Sequence, residues 1–584
     1  MTPTTLDWPI ANTQHGMLVA FGEFVRQHGL IEHLMQVPIP QKTRRFTPQT
    51  KLVELLAGIL SGLEHLEGLN DGPHPLAKDA VVAQAWGQDG FAHYSGVSRT
   101  LNVCDAQTVR AVEQVITEFS RPFLAAEVNE LLHRGAAILY DLDLTGQDVS
   151  ATSTTYPEAR FGWMNDSVQL GYQLARVCLS SHTGERIWVA GFHHPGNTVS
   201  VKCLQELVNA AEAQTQIWPR RRTELVQQRI EQEAKTLAQL CRLQEQQMTK
   251  VERLRQTREK LVGQSYHAEQ QLKELAISAG KKAFLYQKLR GWQKRLPRLE
   301  TQRTHSQQVA EKHLAAVQEA ELRLANLKTW CAKLEADNRS NPNPPTYVEA
   351  RTDAGFVSGE NLTWLLEMGY CPNTKAPNDQ TTQALRKQLP AQSAWSQVGK
   401  NAEMVMCGEY YLHDCPYPLI VALERFKVGQ AFRYATLLRY REDGRSPSLR
   451  EWFHHYNARQ IIEAGNKQMK GTFFVQHLMS RSLPGIQIQV LFTGLAANVV
   501  HWSIPWLKDC SDPVTPKWQR TLNSPKHLVH VAANCMALVE QTSYGTALQF
   551  APESPFSGVT LFLKGVPAFQ LALGFNRPHK IASE

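Results

Sequence analysis

From Thr223 to Val262 the chain contains neither glycine nor proline. Apolar or small residues recur there at Ile230, Ala234, Leu237, Cys241, Met248, Val251 and Leu254, with Gln244 interrupting the seam. A run of this kind folds as a long helix with one apolar stripe, because a 3-4 spacing keeps that stripe on a single face. A second run follows at Leu314, Val317, Leu324, Leu327, Cys331 and Leu334. Between the two, Gly263, Gly280, Gly291 and Pro297 are expected to mark turns around shorter helical pieces. The stretch "NRSNPNPPTY" ends the pattern, since clustered proline and asparagine cannot continue a helix. The spacing predicts an antiparallel coiled-coil hairpin over residues 219–343, projecting from a globular body. Arms of about 40 residues would reach about 60 Å.

Charge singles out the same segment. The chain has 62 Lys+Arg and 54 Asp+Glu. Residues 220–339 hold 25 of the basic and 14 of the acidic residues, a net of +11, which leaves the rest of the chain at −3. The basic excess belongs wholly to the hairpin, as suits an anionic partner. Ten cysteines occur with no Cys-x-x-Cys pair, which argues against a thiolate zinc cluster and a disulfide scaffold. No apolar run is expected to reach membrane-spanning length, and residues 1–10 lack the features of a signal peptide. A cytoplasmic protein without a membrane partner is expected.

On either side of the hairpin the periodicities differ. Residues 1–130 read as helices, among them "TPQTKLVELLAGILSGLEHL" with Thr47 or Thr50 as cap, and suggest a small helical DNA-binding domain. "YSGVSRTLN" reads as a turn within this region. In residues 131–218, "GAAILYDLDLTGQ", "GYQLARVCLSS" and "ERIWVAGFHHPGN" read as three strands of an antiparallel meander, followed by a helix. β character returns in residues 344–505 at "TYVEARTDAGF", "EMVMCGEYYLHDCPYPLIVALERF" and "AFRYATLLRY". "GIQIQVLFTGLAANVVHW" reads as a buried helix. Residues 506–584 mix turns and short strands, with no role assigned.

The chemistry-bearing residues lie in the β regions and in one late helix. Strand alternation in "ILYDLDLTG" puts Asp141, Asp143 and Thr145 on one face. Two carboxylates on one face of a strand repel unless a counterion intervenes, and a divalent metal is one such counterion. A strand-end turn is the competing explanation. Asp353, in "ARTDAGF", ends another strand. In the late helix, Ser448 and Glu451 form a capping-box pattern and Gly471 is a plausible stop. Along one continuous helix, Tyr456, Arg459, Glu463, Lys467 and Lys470 fall within an arc of roughly 80°. The plain alternative is a solvated face with ion pairs such as Glu463–Lys467. A three-stranded meander, a helix, a further strand ending in Asp and a late helix carrying Glu together describe an α/β (α+β) chain with a ribonuclease H-like catalytic domain. In such a domain Asp143, Asp353 and Glu463 would hold two Mg²⁺ ions.

These motifs resemble those of a known family. "YNARQIIEAGNKQMK" matches, position for position, the Tyr-x2-Arg-x3-Glu-x6-Lys signature of the DDE transposases of a large bacterial insertion-sequence superfamily, at Tyr456, Arg459, Glu463 and Lys470. "DLDLTG" resembles its Asp-x-Thr motif and selects Asp143 over Asp141. "ARTDAGF" resembles its second-aspartate motif, and "HHPGNTVS" its Pro-Gly-Asn turn. The resemblance spans about residues 40–200 and 345–505. It implies a cut-and-paste transposase that binds double-stranded DNA at terminal inverted repeats, cleaves the ends and joins 3′-hydroxyls to target DNA. It further implies Asp143, Asp353 and Glu463 as catalytic Mg²⁺ ligands, with Mn²⁺ as a substitute, and a homodimer pairing the two ends. Tyr456, Arg459 and Lys470 would contact DNA; Lys467, outside the signature, is an auxiliary phosphate contact or a surface charge. The alternatives are a domesticated DNA-binding protein without catalysis and a structure-selective nuclease on the same fold. The family's familiar insertion lies between the second Asp and the Glu, whereas the basic hairpin lies between Asp143 and Asp353. The gap from Asp353 to Glu463 predicts a smaller β-rich insertion as well. His193 and His194 read as loop residues after a strand rather than as metal ligands, and no aromatic residue, Trp364 and Trp395 included, is assigned to a flipped base.

Overall fold

The computed structural model describes residues 11–563 apart from 275–276, 346, 377–378, 391, 430, 441–447 and 543–544. Within its helices and strands, the side chains of 379, 460–464, 466 and 542 are outside the described set. The chain is of the α+β class and divides into two compact units, residues 220–342 and all the rest.

In the larger unit the strands are Ala11–Thr13 (β1), Ile138–Asp148 (β2), Arg160–Met164 (β3), Ser167–Ser180 (β4), Arg186–Pro195 (β5), Val348–Arg351 (β6), Cys371–Lys375 (β7), Ser396–Gln397 (β8), Ala402–Tyr410 (β9), Leu419–Val428 (β10), Ala431–Arg439 (β11), Ser511–Asp512 (β12), Ala537–Thr542 (β13), Gly545–Phe550 (β14) and Thr560–Leu563 (β15). β2 through β11 form one ten-stranded sheet, in the order β3-β4-β2-β6-β7-β11-β10-β9-β8, with β5 also paired to β4. β2, β4 and β5 are antiparallel neighbours, while β6 and β7 run parallel to β2. The β-rich stretch after Asp353 therefore extends the same sheet, since β11 pairs antiparallel with β7.

The expected separate helical domain in residues 1–130 is not a unit of its own. Its helices, the second sheet (β1-β13-β14-β15-β12) and the helix Leu483–Cys510 share one core, including Phe21, Leu56, Val112, Leu495, Phe550 and Leu561. "YSGVSRTLN" is part of the helix Tyr94–Val103 rather than a turn, capped by the His93 side chain. Thr47 caps the helix Pro48–Leu60, accepting the Thr50 N–H at 3.0 Å.

Contrary to the expectation that no apolar run reaches membrane-spanning length, the helix Leu483–Cys510 is long and apolar enough to cross a membrane; 78% of its most apolar window is buried inside the fold. It is fastened to the main sheet by an amide clamp. Asn498 Oδ1 accepts the Trp188 N–H at 2.9 Å, and Asn498 Nδ2 donates to the Trp188 carbonyl at 2.8 Å.

The smaller unit is a hairpin of two helices, Thr223–Lys273 and Ala279–Ser340. Ion pairs Arg323–Glu233 and Arg258–Glu300 fix them as antiparallel. Gly263 does not break the first helix, nor do Gly280, Gly291 and Pro297 break the second. A mid-helix glycine costs about 1 kcal/mol and a proline about 3 kcal/mol, and helices of 51 and 62 residues packed along each other absorb both. At 1.5 Å per residue the arms are about 75 and 90 Å long.

Candidate functional site

The parallel pairing of β2 with β6 sets the site. Ile138 faces Val348 and Asp141 faces Arg351 in register. Two residues further on come Asp143, on the same face of β2 as Asp141, and Asp353, just past the end of β6. Arg459 Nη2 lies 3.4 Å from Asp143 Oδ1 and 3.7 Å from Asp353 Oδ2, so the two carboxylates lie within about 7 Å of each other. The structure thus brings Asp143, Asp353 and Arg459 together from parts of the chain more than 300 residues apart.

Asp141 has a different fate. The repulsion expected between Asp141 and Asp143 is relieved by arginines. Arg351 makes a bidentate bond to Asp141, with Nε to Oδ1 and Nη2 to Oδ2 each at 2.8 Å. Arg186 Nε adds an ion pair at 2.5 Å, and the Ser180 hydroxyl donates at 3.3 Å. Asp141 is fully buried and Arg351 nearly so, so this carboxylate is committed to structure. Asp143 keeps looser partners: the Thr145 hydroxyl donates to Oδ2 at 3.0 Å, and Arg176 Nη2 stands 3.7 Å from the same oxygen. Asp353 caps the short 3₁₀ turn Ala354–Phe356, its Oδ1 accepting the Gly355 N–H at 2.9 Å, which leaves Oδ2 facing Arg459. Its turn role and its position beside Asp143 are therefore compatible. Burial pushes the Asp353 carboxyl above its ordinary pKa; Arg459 pulls it down and Asp143 pushes it further up.

The late helix is not continuous. The capping box at Ser448 and Glu451 is present, but the helix Leu449–Asn457 stops and a second, Gln460–Gly471, begins after a turn at Ala458–Arg459. The cause lies in the sheet beneath. Arg351 Nη1 donates to the His455 carbonyl at 2.9 Å, and Arg186 Nη2 to the Ala458 carbonyl at 3.3 Å. With the His455 carbonyl engaged, the Arg459 N–H bonds the Tyr456 carbonyl at 3.0 Å, one residue short of the α pattern. The guanidiniums that neutralise Asp141 therefore also bend the chain where Arg459 turns toward Asp143. Two more bonds seat the first helix: His455 Nε2 on Glu349 at 2.7 Å, and Trp452 Nε1 on Asn373 Oδ1 at 3.0 Å.

Because of this break, the expected single 80° stripe does not form. Tyr456 is buried at 6% exposure among Ala402, Met404 and Leu437. Its hydroxyl points to the Thr352 carbonyl at 3.4 Å. In this position Tyr456 supports the backbone next to Asp353. Lys467 is exposed and Lys470 half-buried, about two and three turns along the helix that Arg459 begins. Glu463 lies on that helix, one turn past Arg459; its side chain is outside the described residues.

Arg176, Arg351 and Arg186 escaped the sequence reading. A signal for two of them existed. "DLD" and "RTD" share one spacing, which sets Arg351 opposite Asp141 in a parallel pair, and the meander sets Arg176 opposite Asp143. His193 and His194 sit on β5, not in a loop. His193 Nε2 bonds Gln147 Oε1, and burial lowers its pKa to about 3; His194 pairs with Glu206 at 3.0 Å.

No protein-family model matches the chain, and no curated protein sequence does. The site is thus defined by its own geometry. Two carboxylates, one within β2 and one just past the end of the parallel strand β6, supply oxygen donors of the kind hard divalent cations take, with a guanidinium between them and two lysines further along its helix.

Proposed function

We propose that the protein is a DDE-type DNA transposase that cleaves transposon ends and joins the freed 3′-hydroxyls to target DNA, on a ribonuclease H-like domain carrying a coiled-coil hairpin. The observation that carries the reading is the shared contact of Arg459 with Asp143 and Asp353. It unites the three motifs whose order resembles that superfamily. The sheet order β5-β4-β2-β6-β7, antiparallel on one side of β2 and parallel on the other, supports the fold assignment. The two long heptad-bearing helices support the coiled coil.

The donor set fits Mg²⁺, or Mn²⁺ in its place: Asp143 Oδ1 and Asp353 Oδ2 face one shared cation already, and the backbone of Glu463 lies one turn from it. When bound, the metal would activate a water or 3′-hydroxyl and stabilise the leaving oxygen of a phosphodiester. Thr145 and Arg176 orient the Asp143 carboxylate. Tyr456 and the Gly355 N–H hold Asp353 at its strand end. Arg459 balances the paired carboxylates; with Lys470 and Lys467 on its helix it would meet an incoming phosphate. Two chains, each holding one DNA end, would form the paired complex.

The test is cleavage of DNA bearing the terminal inverted repeats that flank the gene. Wild-type protein with Mg²⁺ or Mn²⁺ should nick both ends, and Asp353→Asn should bind them uncut. Repeats left uncut by the wild type, or cut equally by Asp353→Asn, would overturn the reading.

A further inference from the structure

On the side of the larger unit formed by the first helices, three side chains converge that the site above does not use. Glu64 and His65 lie between the helix Pro48–Leu60 and the short turn Leu66–Leu69. His477 follows the helix Gln460–Gly471, more than 400 residues later. His477 Nδ1 stands 3.1 Å from Glu64 Oε1, and His65 Nε2 stands 3.8 Å from the same oxygen. One ligand atom from each of the three lies within 4.8 Å of the others. The two imidazoles are nearly parallel, 9° apart with centroids 5.0 Å from each other.

The contacts are close but are not hydrogen bonds. His477 Nδ1 is shielded from solvent and has no hydrogen-bond partner among the described residues, although a carboxylate oxygen is 3.1 Å away. Ligand atoms around a tetrahedral ion at about 2.1 Å sit about 3.4 Å from one another. The observed 3.1 and 3.8 Å bracket that spacing, and the third separation is no more than 4.8 Å. The neighbourhood holds His477 in place: Gln489 Nε2 donates to its carbonyl at 2.8 Å, and Phe474 stacks on its ring at 5.6 Å. Glu64 and His65 also border an open cleft of about 610 Å³ lined by Glu67, Asp71 and His74, which leaves a fourth coordination position to water.

We propose that Glu64, His65 and His477 form a zinc-binding site. Two imidazoles with one carboxylate are a borderline-soft set that takes Zn²⁺ in preference to Mg²⁺. Bound there, Zn²⁺ ties the loop after the helix Pro48–Leu60 to the segment that follows the helix Gln460–Gly471. It is then a structural brace for the helix that Arg459 begins, and it is independent of any reading of the carboxylate site.

The test uses the full chain, stripped with chelator and titrated with Zn²⁺ against a competing chelator, and in parallel with Co²⁺. We expect one Zn²⁺ per chain. The Co²⁺ form should show a tetrahedral visible spectrum without a near-ultraviolet thiolate band, which sets the site apart from the ten cysteines. His65→Ala, at an exposed position, should keep the wild-type circular dichroism and lose at least tenfold in affinity. Glu64→Gln should lose affinity likewise. Absence of stoichiometric Zn²⁺ in the wild type, a thiolate band, or unchanged affinity in folded His65→Ala would each overturn the site.

Discussion

Asn in place of Asp141 and Asn in place of Asp143 should have opposite signatures, although the two residues are neighbours on one strand face. Asp141 is fully buried, and Arg351 and Arg186 both point their guanidiniums at it. Asp141→Asn leaves two cations facing a neutral amide in the interior. Removing one partner of a buried pair costs about 3–5 kcal/mol, and the second arginine puts this variant at the upper end. Those arginines also bond the His455 and Ala458 carbonyls, so the turn before Arg459 should loosen with the pair. Asp143→Asn keeps an oxygen able to accept the Thr145 hydroxyl at 3.0 Å, weakens ion contacts of 3.4 and 3.7 Å and relieves repulsion from Asp353, so its loss should not exceed about 2 kcal/mol. Urea unfolding followed by tryptophan fluorescence would give both midpoints, and end cleavage would be measured on the folded variants. Asp143→Asn should be nearly as stable as wild type and inactive; Asp141→Asn should be markedly less stable. A wild-type midpoint for Asp141→Asn together with lost cleavage would refute the division of labour and make Asp141 the reacting carboxylate.

Other outcomes follow from the same contacts. Ala at Arg459 or Lys470 should weaken binding to cleaved ends and lower the slope of log affinity against log salt by about one unit each; an unchanged slope with normal cleavage would make these surface charges. A Gly/Ser linker in place of residues 223–338 should leave the larger unit folded while end pairing, measured by gel shift, falls; full pairing by that variant would show the hairpin to be dispensable. Glu54 is fully buried and its pKa is pushed up to about 8 by burial, against the Ala92 N–H and Lys51. The folded state therefore holds a proton that the unfolded chain releases near pH 4.5, so this contribution is complete below pH 4.5 and lost as pH rises to about 8. Glu54→Gln should flatten the fall in stability between pH 5 and 8, and an unchanged profile would show Glu54 to be ionised in the fold.

Local chemistry made much of this legible. Alternation in "ILYDLDLTG" placed Asp143 on the face that meets Asp353, and Ser448 with Glu451 gave a capping box that is present. What escaped depends on contacts between distant segments. Nothing within "YNARQIIEAGNKQMK" shows that its helix breaks, because the break comes from guanidiniums on β5 and β6. The burial of Tyr456 has the same origin. Gly263 and Pro297 carry a local preference for turns that the packing of two long helices overrides. The first 130 residues looked separable because their partners, the helix Leu483–Cys510 and the last strands, lie at the far end of the sequence.

The base of the hairpin bears on how the strands β2 and β6 find each other. β2 and β6 pair across 210 residues, a separation that slows folding when closure must precede any reward. A hairpin that closes on itself shortens that separation. The Arg221 N–H donates to Asn338 Oδ1 at 2.7 Å, Asn338 Nδ2 returns a bond to the Arg221 carbonyl at 3.0 Å, and Arg221 Nε meets Asp337 at 3.3 Å. Those bonds bring residues 117 apart in sequence to a single point. With the hairpin formed, the chain to be closed between β2 and β6 is roughly 90 residues, a saving of about 0.7 kcal/mol in closure entropy. To the nascent sheet the long insertion then counts as little more than a short linker, and its length is free to vary without disturbing the pairing that sets Asp143 beside Asp353.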